Sequence, residues 1–342
     1  MNETDLFNRL LILRTPKIGP VKYNDLIQKF GGADNVVAML TPDDSIRDCV
    51  LREMEYAHKL NIHYICDDMV EYPAMLRKMK NHPPVISVRG NIKTLTKNAI
   101  GIVGTRHATV AGMEFTFDLA RQFAEHDFAV VSGMAMGTDT AAHRGALNAG
   151  GDSQTIAVLA GGVDNVWPLE NESLYWEIVA RGAVISEMPV GFSPKAQNFV
   201  QRNHLIAGIA EQLILGEADM KSGSMTTARF AIESNRTVWA IPSHPSDSRA
   251  AGPNSLIKSG VAKLCNGASD FFAVNKNIPD DVKNEKKSDS ENSILDALGT
   301  IPVSESVLSE IVKKTISEIK SVLVVMELQG LVRKVDGGYI RA

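Results

Sequence analysis

From residue 99 onward, short apolar runs alternate with amphipathic stretches. "AIGIVG", "FAVVSG", "QTIAVLAGG", "GAVISE", "EQLILGEA", "RTVWAIP" and "AKLCNG" are apolar at nearly every position, as strands must be when helices cover both faces of a parallel sheet. Between them, the spacing of apolar positions predicts helices at about 113–126, 138–149, 171–181, 203–211 and 224–235. This alternation is the βαβ rhythm of a doubly wound α/β domain, whose binding crevice is expected at the carboxyl ends of the strands. Upstream, "LFNRLLILRT", "PVKYNDLIQKF" closed by Gly31-Gly32, and "ADNVVAML" read as short helices. After Phe272 the periodicity stops in "VNKNIPDDVKNEKKSDSEN", which reads as a linker. The expected division is a helical part with its connection over 1–84, the α/β domain over 85–272, the linker over 273–292 and a last unit over 293–342.

That last unit holds three helical patterns and two β-like runs around Asp336-Gly337-Gly338, the order of a winged helix. Near the start, the turn "PKIGPVK" (16–22) resembles the hairpin of a helix-hairpin-helix module, with Lys17 where that motif has its first glycine; a plain packing turn between two helices is the competing reading.

Composition narrows the chemistry. The chain has 342 residues, 44% hydrophobic and 22% charged, enough to bury more than one core. The acids in "MNETDLFNRLLIL" do not suit a signal peptide and no apolar run is long enough to span a bilayer, so the expected location is the cytoplasm. Cys49, Cys66 and Cys265 are far apart and form no CxxC, which supports neither a disulfide framework nor a zinc site. Net charge is -4, and Lys+Arg against Asp+Glu run 14 to 12 over 1–98, 12 to 17 over 99–272, 4 to 5 over 273–292 and 6 to 6 over 293–342. With no basic tail, a polyanion must be held at a local site. The neutral last unit suits a protein contact or a spacer better than DNA reading.

Four strand ends in the α/β domain finish in small polar residues: Gly104-Thr105-Arg106, Ser132-Gly133, Gly161-Gly162, and Lys221-Ser222-Gly223-Ser224. Glycines let backbone approach a ligand, hydroxyls add hydrogen bonds, and a helix N-terminus favours an anion. Phosphate is the natural guest. Arg106, Arg202 and Lys221 are the candidate cations. Arg202-Asn203 stand where the predicted helix 203–211 begins, an unfavourable place for a cation unless an anion is bound or an acid pairs with it. Asp139 and His143 are four apart on one helix face; two ligands without a third read as anchors of the "SGMAMGTDTAAH" loop, not as a metal site. No GxSxG elbow, Walker pattern or clean GxGxxG occurs, so nucleophilic catalysis, NTP hydrolysis and dinucleotide binding lack support. No cofactor is expected.

Taken in order, "IVGTR" (102–106), "VVSGMAMGTDTAAHRGAL" (130–147), "TIAVLAGGVDNVWPLENESL" (155–174), "ISEMPVG" (185–191), "RNHLIAG" (202–208) and "EADMKSGSMTTARFA" (217–231) resemble the DprA/Smf family of bacterial DNA-processing proteins. The resemblance implies a Rossmann-like, mostly parallel sheet flanked by a small helical N-terminal domain and a C-terminal winged helix. It also implies a non-enzymatic protein that binds and protects single-stranded DNA, forms a homodimer and delivers the strand to the recombinase RecA in natural transformation. Its DNA pocket would use Gly104, Thr105, Arg106, Ser132, Gly133, Arg202, Asn203, Lys221, Ser222, Gly223 and Ser224. Phe199 is the candidate for base stacking, with Trp167 and Phe192 near it in sequence; for each, core packing is the competing role. Met136, Thr138, Gln201 and His204 depart from the family pattern, and two of them replace cations expected in the pocket. The rival functions are a nucleoside-monophosphate phosphoribohydrolase, whose catalytic glutamate "LAGGVDNVWP" lacks, and a nucleotide-signal sensor.

Overall fold

The structure is a computed structural model that describes residues 2–150, 155–274, 289–299, 302–328, 330–335 and 337–341. The proposed linker lies outside the described residues from 275 to 288, as does Asp336 of the last hairpin. The chain divides into two compact units, 1–274 and 275–342.

In the first unit, nine strands form one sheet: β1 Ile62–Cys66, β2 Val85–Gly90, β3 Ala99–Val103, β4 Ala129–Ser132, β5 Thr155–Val158, β6 Ala183–Ser186, β7 Gln212–Leu215, β8 Thr237–Ala240 and β9 Lys263–Leu264. Their order is β1-β2-β6-β5-β4-β3-β7-β8-β9. From β6 to β9 every pairing is parallel, whereas β1 pairs β2, and β2 pairs β6, antiparallel. The sheet is Rossmann-like and mostly parallel, as the apolar runs require: β3, β4, β5 and β6 are buried at every position. The two antiparallel strands lie upstream of the region where strands were expected. "IHYIC" and "VISVRG" are apolar enough to extend the sheet, and Glu53 ties the helical N-terminal part to this end. Its carboxylate accepts hydrogen bonds from Arg14 at 2.7 and 2.8 Å, from Tyr64 at 3.0 Å and from the Val190 N–H.

Reading the order across β5-β4-β3-β7-β8-β9, successive β-α-β units proceed one way from β3 through β4 and the other way from β7 through β8. The direction reverses between β3 and β7. A doubly wound sheet opens its crevice at that point, outside the carboxyl ends of the strands. The main core beneath it includes Val103, Val131, Val158, Leu205, Ile206 and Leu215. Most helices fall near their expected places: Val110–Glu125, Thr138–Asn148, Glu172–Arg181 and Gly223–Glu233. The exception is the helix expected at 203–211, which runs Ala196–Ile209. No side chain of the usual capping type precedes it. Its first turn is held instead by Asn198, whose Oδ1 accepts the Lys195 N–H at 2.9 Å, the return half of a capping box.

The expected hairpin at 16–22 joins helices Glu3–Arg14 and Pro20–Phe30, and Lys17 adopts a left-handed φ of 66° there, the conformation a glycine takes without strain. The second unit is a winged-helix arrangement: helices Asp289–Ala297, Glu305–Val312 and Ile316–Leu328, then the antiparallel pair β10 Val332–Val335 and β11 Gly338–Arg341. Ile294, Leu308, Ile319, Leu323 and Tyr339 are in its core. Among the described residues, no helix is long and apolar enough to cross a membrane.

Candidate nucleic-acid interface

Three segments far apart in sequence meet at the switch point: the turn after β3, the helix Ala196–Ile209, and the turn from β7 into the helix Gly223–Glu233. They enclose a cavity of about 320 Å³ whose lining includes Gly104, Thr105, Arg106, Phe199, Arg202, Asn203, Ser222, Gly223 and Ser224. Nine of the twelve residues expected at the site therefore share one wall or floor.

The turn after β3 is fixed from several directions. Ser224 Oγ donates to the Gly104 carbonyl at 2.6 Å, and the Thr105 N–H donates to the Glu217 carbonyl at 2.6 Å. The Thr138 N–H and hydroxyl both donate to the Thr105 carbonyl at 3.2 Å. Gly137, at φ 74°, lets the neighbouring loop pass beneath; a Cβ there would stand 2.5 Å from the Thr105 oxygen. Arg106 is left exposed at the cavity mouth.

The helix after this turn does not open onto an anion as expected. Thr109 caps it, accepting the Gly112 N–H at 2.9 Å, and Glu217 accepts the Thr109 N–H at 2.7 Å and the Thr109 hydroxyl at 2.5 Å. An acid already occupies that N-terminus. Glu217 went unnoticed in the sequence, where a carboxylate after a strand carries no signal of a partner 108 residues away. The helix Gly223–Glu233 differs: Ser222 caps it through Met225, and the first-turn amides of Gly223 and Ser224, which no helix satisfies internally, belong to cavity-lining residues.

Arg202 corrects the expectation drawn from its place in the sequence. It is not at a helix start but in the second turn of Ala196–Ile209, buried to 6% exposure. Its Nη1 donates to the carbonyls of Gly133 and Val158, and its Nε donates to Asn203 Oδ1. Burial lowers its pKa, while the charge of Asp139 opposes that shift. The guanidinium thus knits together the ends of β4 and β5 under the cavity. Asn203 continues the chain of contacts by donating to the Gly223 carbonyl at 3.2 Å.

Asp139 and His143 hold the loop after β4, as expected, but separately. Asp139 Oδ2 accepts the N–H groups of Gly133 and Ala135, and His143 Nε2 accepts that of Met134. Thr155 donates to the Val130 carbonyl, so it receives the His143 Nδ1 proton at 2.7 Å, which defines a neutral imidazole. Burial and the Arg202 charge push its pKa down to about 3. Burial raises that of Asp139 against the pull of Arg202. Among the described residues, no group of three or more His, Cys, Asp or Glu is placed to hold a metal ion.

Three expected site residues stand outside the cavity lining. Ser132 is fully buried and donates to the Ile102 carbonyl, Gly133 lies under Arg202, and Lys221 is exposed on the Ser222 turn. The departures from the family pattern also lie elsewhere. Met136 is exposed on the loop behind the turn, His204 packs edge-on against Phe230, and Gln201 accepts from Asn198. Thr138 is buried against Gly104. Phe192 is half-buried, with its carbonyl accepting the Gly162 N–H.

Known proteins resemble the whole of this arrangement. The model of the DNA recombination-mediator protein A family matches residues 63–275, that of the DprA-like N-terminal HHH domain matches 3–59, and that of the DprA winged helix domain matches 279–338. The DNA processing protein DprA of Bacillus subtilis is 36% identical over 203 residues, 59% of this chain and 67% of that protein. Protein Smf of Synechocystis is 33% identical over 254 residues; the match takes in 73% of this chain but only 57% of that protein. Among solved structures, DNA processing protein A from Streptococcus pneumoniae superposes with a TM-score of 0.65 at 27% identity, covering 80% of this chain and 98% of that one. DNA processing protein A from Helicobacter pylori, described for its unique single-stranded DNA binding mode, gives 0.58 at 27% identity, covering 64% and 96%.

Proposed function

Since the chain belongs to the DNA recombination-mediator protein A family of DNA-processing proteins, we propose that it binds single-stranded DNA in the cavity between β3 and β7. The observation that carries the proposal is the convergence there of Arg106, Arg202-Asn203 and Ser222-Gly223-Ser224. Backbone amides at a helix start and an exposed guanidinium hold a phosphate, and the half-buried Phe199 offers an unpaired base an apolar edge. Lys221, exposed on the same turn, adds charge at the rim.

The same reading makes the protein a carrier and not an enzyme. Asp139, which lines the cavity, and His143 are both engaged with loop amides, which suits an anchoring role. By the family's role, the bound strand is protected and then passed to the recombinase RecA, with a homodimer as the working form and the cytoplasm as its place.

The test is a fluorescence-anisotropy titration with single- and double-stranded oligonucleotides of equal length at several stated salt concentrations. Tighter binding of the single strand, with affinity falling as salt rises, is expected. Equal affinity for both forms would refute the proposal.

A further inference from the structure

Trp167 neither lines the cavity nor takes part in the hydrogen bonding that builds it, yet its ring lies against two residues that line it, Arg106 and Phe199. It is 40% exposed, a large apolar surface left open to solvent on a side chain that is highly buried on average. Its ring centroid is 4.7 Å from that of Phe199, with 65° between the planes. Arg106 Cζ lies 5.0 Å from the indole centroid and 5.8 Å from the Phe199 centroid, and Arg202 Cζ lies 5.9 Å from the Phe199 centroid. Two guanidinium groups and two rings thus form one cluster, buried at the Arg202 end and open at the Arg106 and Trp167 end.

We propose that Trp167 is a base-binding subsite: an unpaired nucleobase stacks on its exposed indole while the adjoining phosphate is held at Arg106. The inference rests on the reading of the cavity as a single-strand site. In the free protein Arg106 lies over the indole, a contact that keeps the guanidinium at the mouth. An exposed cation–π contact is weaker than a base–aromatic stack, and a phosphate offers Arg106 charge-assisted hydrogen bonds that the indole does not. Strand binding therefore exchanges partners, with Arg106 passing to the phosphate and the base taking its place on the ring. Because every base has a π face, the subsite tolerates any sequence but requires that the base be unpaired.

The measurement is a cycle between Trp167→Ala and the bases of the ligand, using an oligothymidylate and a strand of the same length whose sugars carry no bases. For the wild type, removing the bases is expected to weaken binding. Trp167→Ala is expected to lower affinity for oligothymidylate by about 10-fold, with an unchanged salt slope, and to bind the two strands more nearly alike. Trp167→Phe should recover most of the loss. If loss of the bases weakens wild type and Trp167→Ala by the same factor, the indole is not a platform. If Trp167→Ala flattens the salt slope as Arg106→Ala does, the ring merely holds Arg106. Either result overturns the inference while leaving single-strand binding standing. A wild-type protein that binds neither strand removes the parent reading along with it. Thermal melting of both variants confirms that the exposed ring is dispensable for folding.

Discussion

Arg106 and Arg202 bring the same charge to one cavity from opposite environments, and that difference separates binding from stability. Arg106 is exposed, with its guanidinium over Trp167 and Phe199. Its replacement by alanine is expected to change stability by less than about 0.5 kcal/mol while reducing the log–log salt slope of strand binding by roughly one unit. Arg202 is buried and bonded to the Gly133 and Val158 carbonyls. Arg202→Ala would leave those oxygens and the Asp139 carboxylate without their cation, and is expected to cost about 3 kcal/mol of stability. Urea unfolding of both variants, beside salt titrations of binding, checks the distinction. Similar and small stability losses would show that Arg202 is a free ligand-binding group, not a structural tie.

At the scale of the element, the β3 turn and the helix Val110–Glu125 form one device. Thr109 ends the turn and begins the helix, and Glu217, just after β7, accepts hydrogen bonds from both its backbone and its hydroxyl. The position of Arg106 thus depends on a clamp between β3 and β7. Thr109→Ala removes the cap and one clamp bond, and is expected to cost about 1 kcal/mol or somewhat more. Single-strand affinity should fall as well, although Thr109 does not line the cavity. Thr109→Ser, which keeps the oxygen, should restore both. If Thr109→Ala loses stability but binds the strand as tightly as the wild type, the turn is held without the clamp.

At the scale of the whole molecule, the cavity lies entirely within residues 103–227 of the first unit. The helix Ala268–Val274 belongs to that unit, with Phe271 packed edge-on to Phe123 at 5.1 Å and to Phe128 at 5.5 Å. A truncation that tests the division should therefore end after Val274, since a cut after 272 would shorten this helix. Residues 1–274 alone are expected to unfold cooperatively and to bind a long single strand within a few-fold of the full chain. In the second unit, Lys320 is paired with Glu305 at 3.2 Å, and exposed apolar residues (Val307, Ile311, Ile316, Val324, Val325) stand beside exposed cations (Lys313, Lys314, Arg333, Lys334), so the truncation tests both a protein and a strand contact. A loss of tenfold or more on truncation, about 1.4 kcal/mol, would place a strand contact in residues 275–342.

How much of this was legible before folding follows from the range of the forces involved. Continuous apolar runs with glycine at their ends determined the parallel strands, because a strand covered on both faces has no polar side to show. The same loops marked the residues of the cavity, because a backbone that approaches an anion needs small residues wherever it stands in the sheet. Tertiary structure alone decided what each residue does there. Arg202 looked like a cation at a helix start because the cap at Asn198 is a return bond from inside the helix, invisible to a search for Ser, Thr or Asp before it. Glu217 drew no reading of its own, and core packing was the competing role for Trp167. Their partners, Thr109 and Arg106, lie 108 and 61 positions away along the chain: Glu217 reaches Thr109 when β7 pairs with β3, and Trp167, in the segment after β5, reaches Arg106 only across the carboxyl ends of the assembled strands.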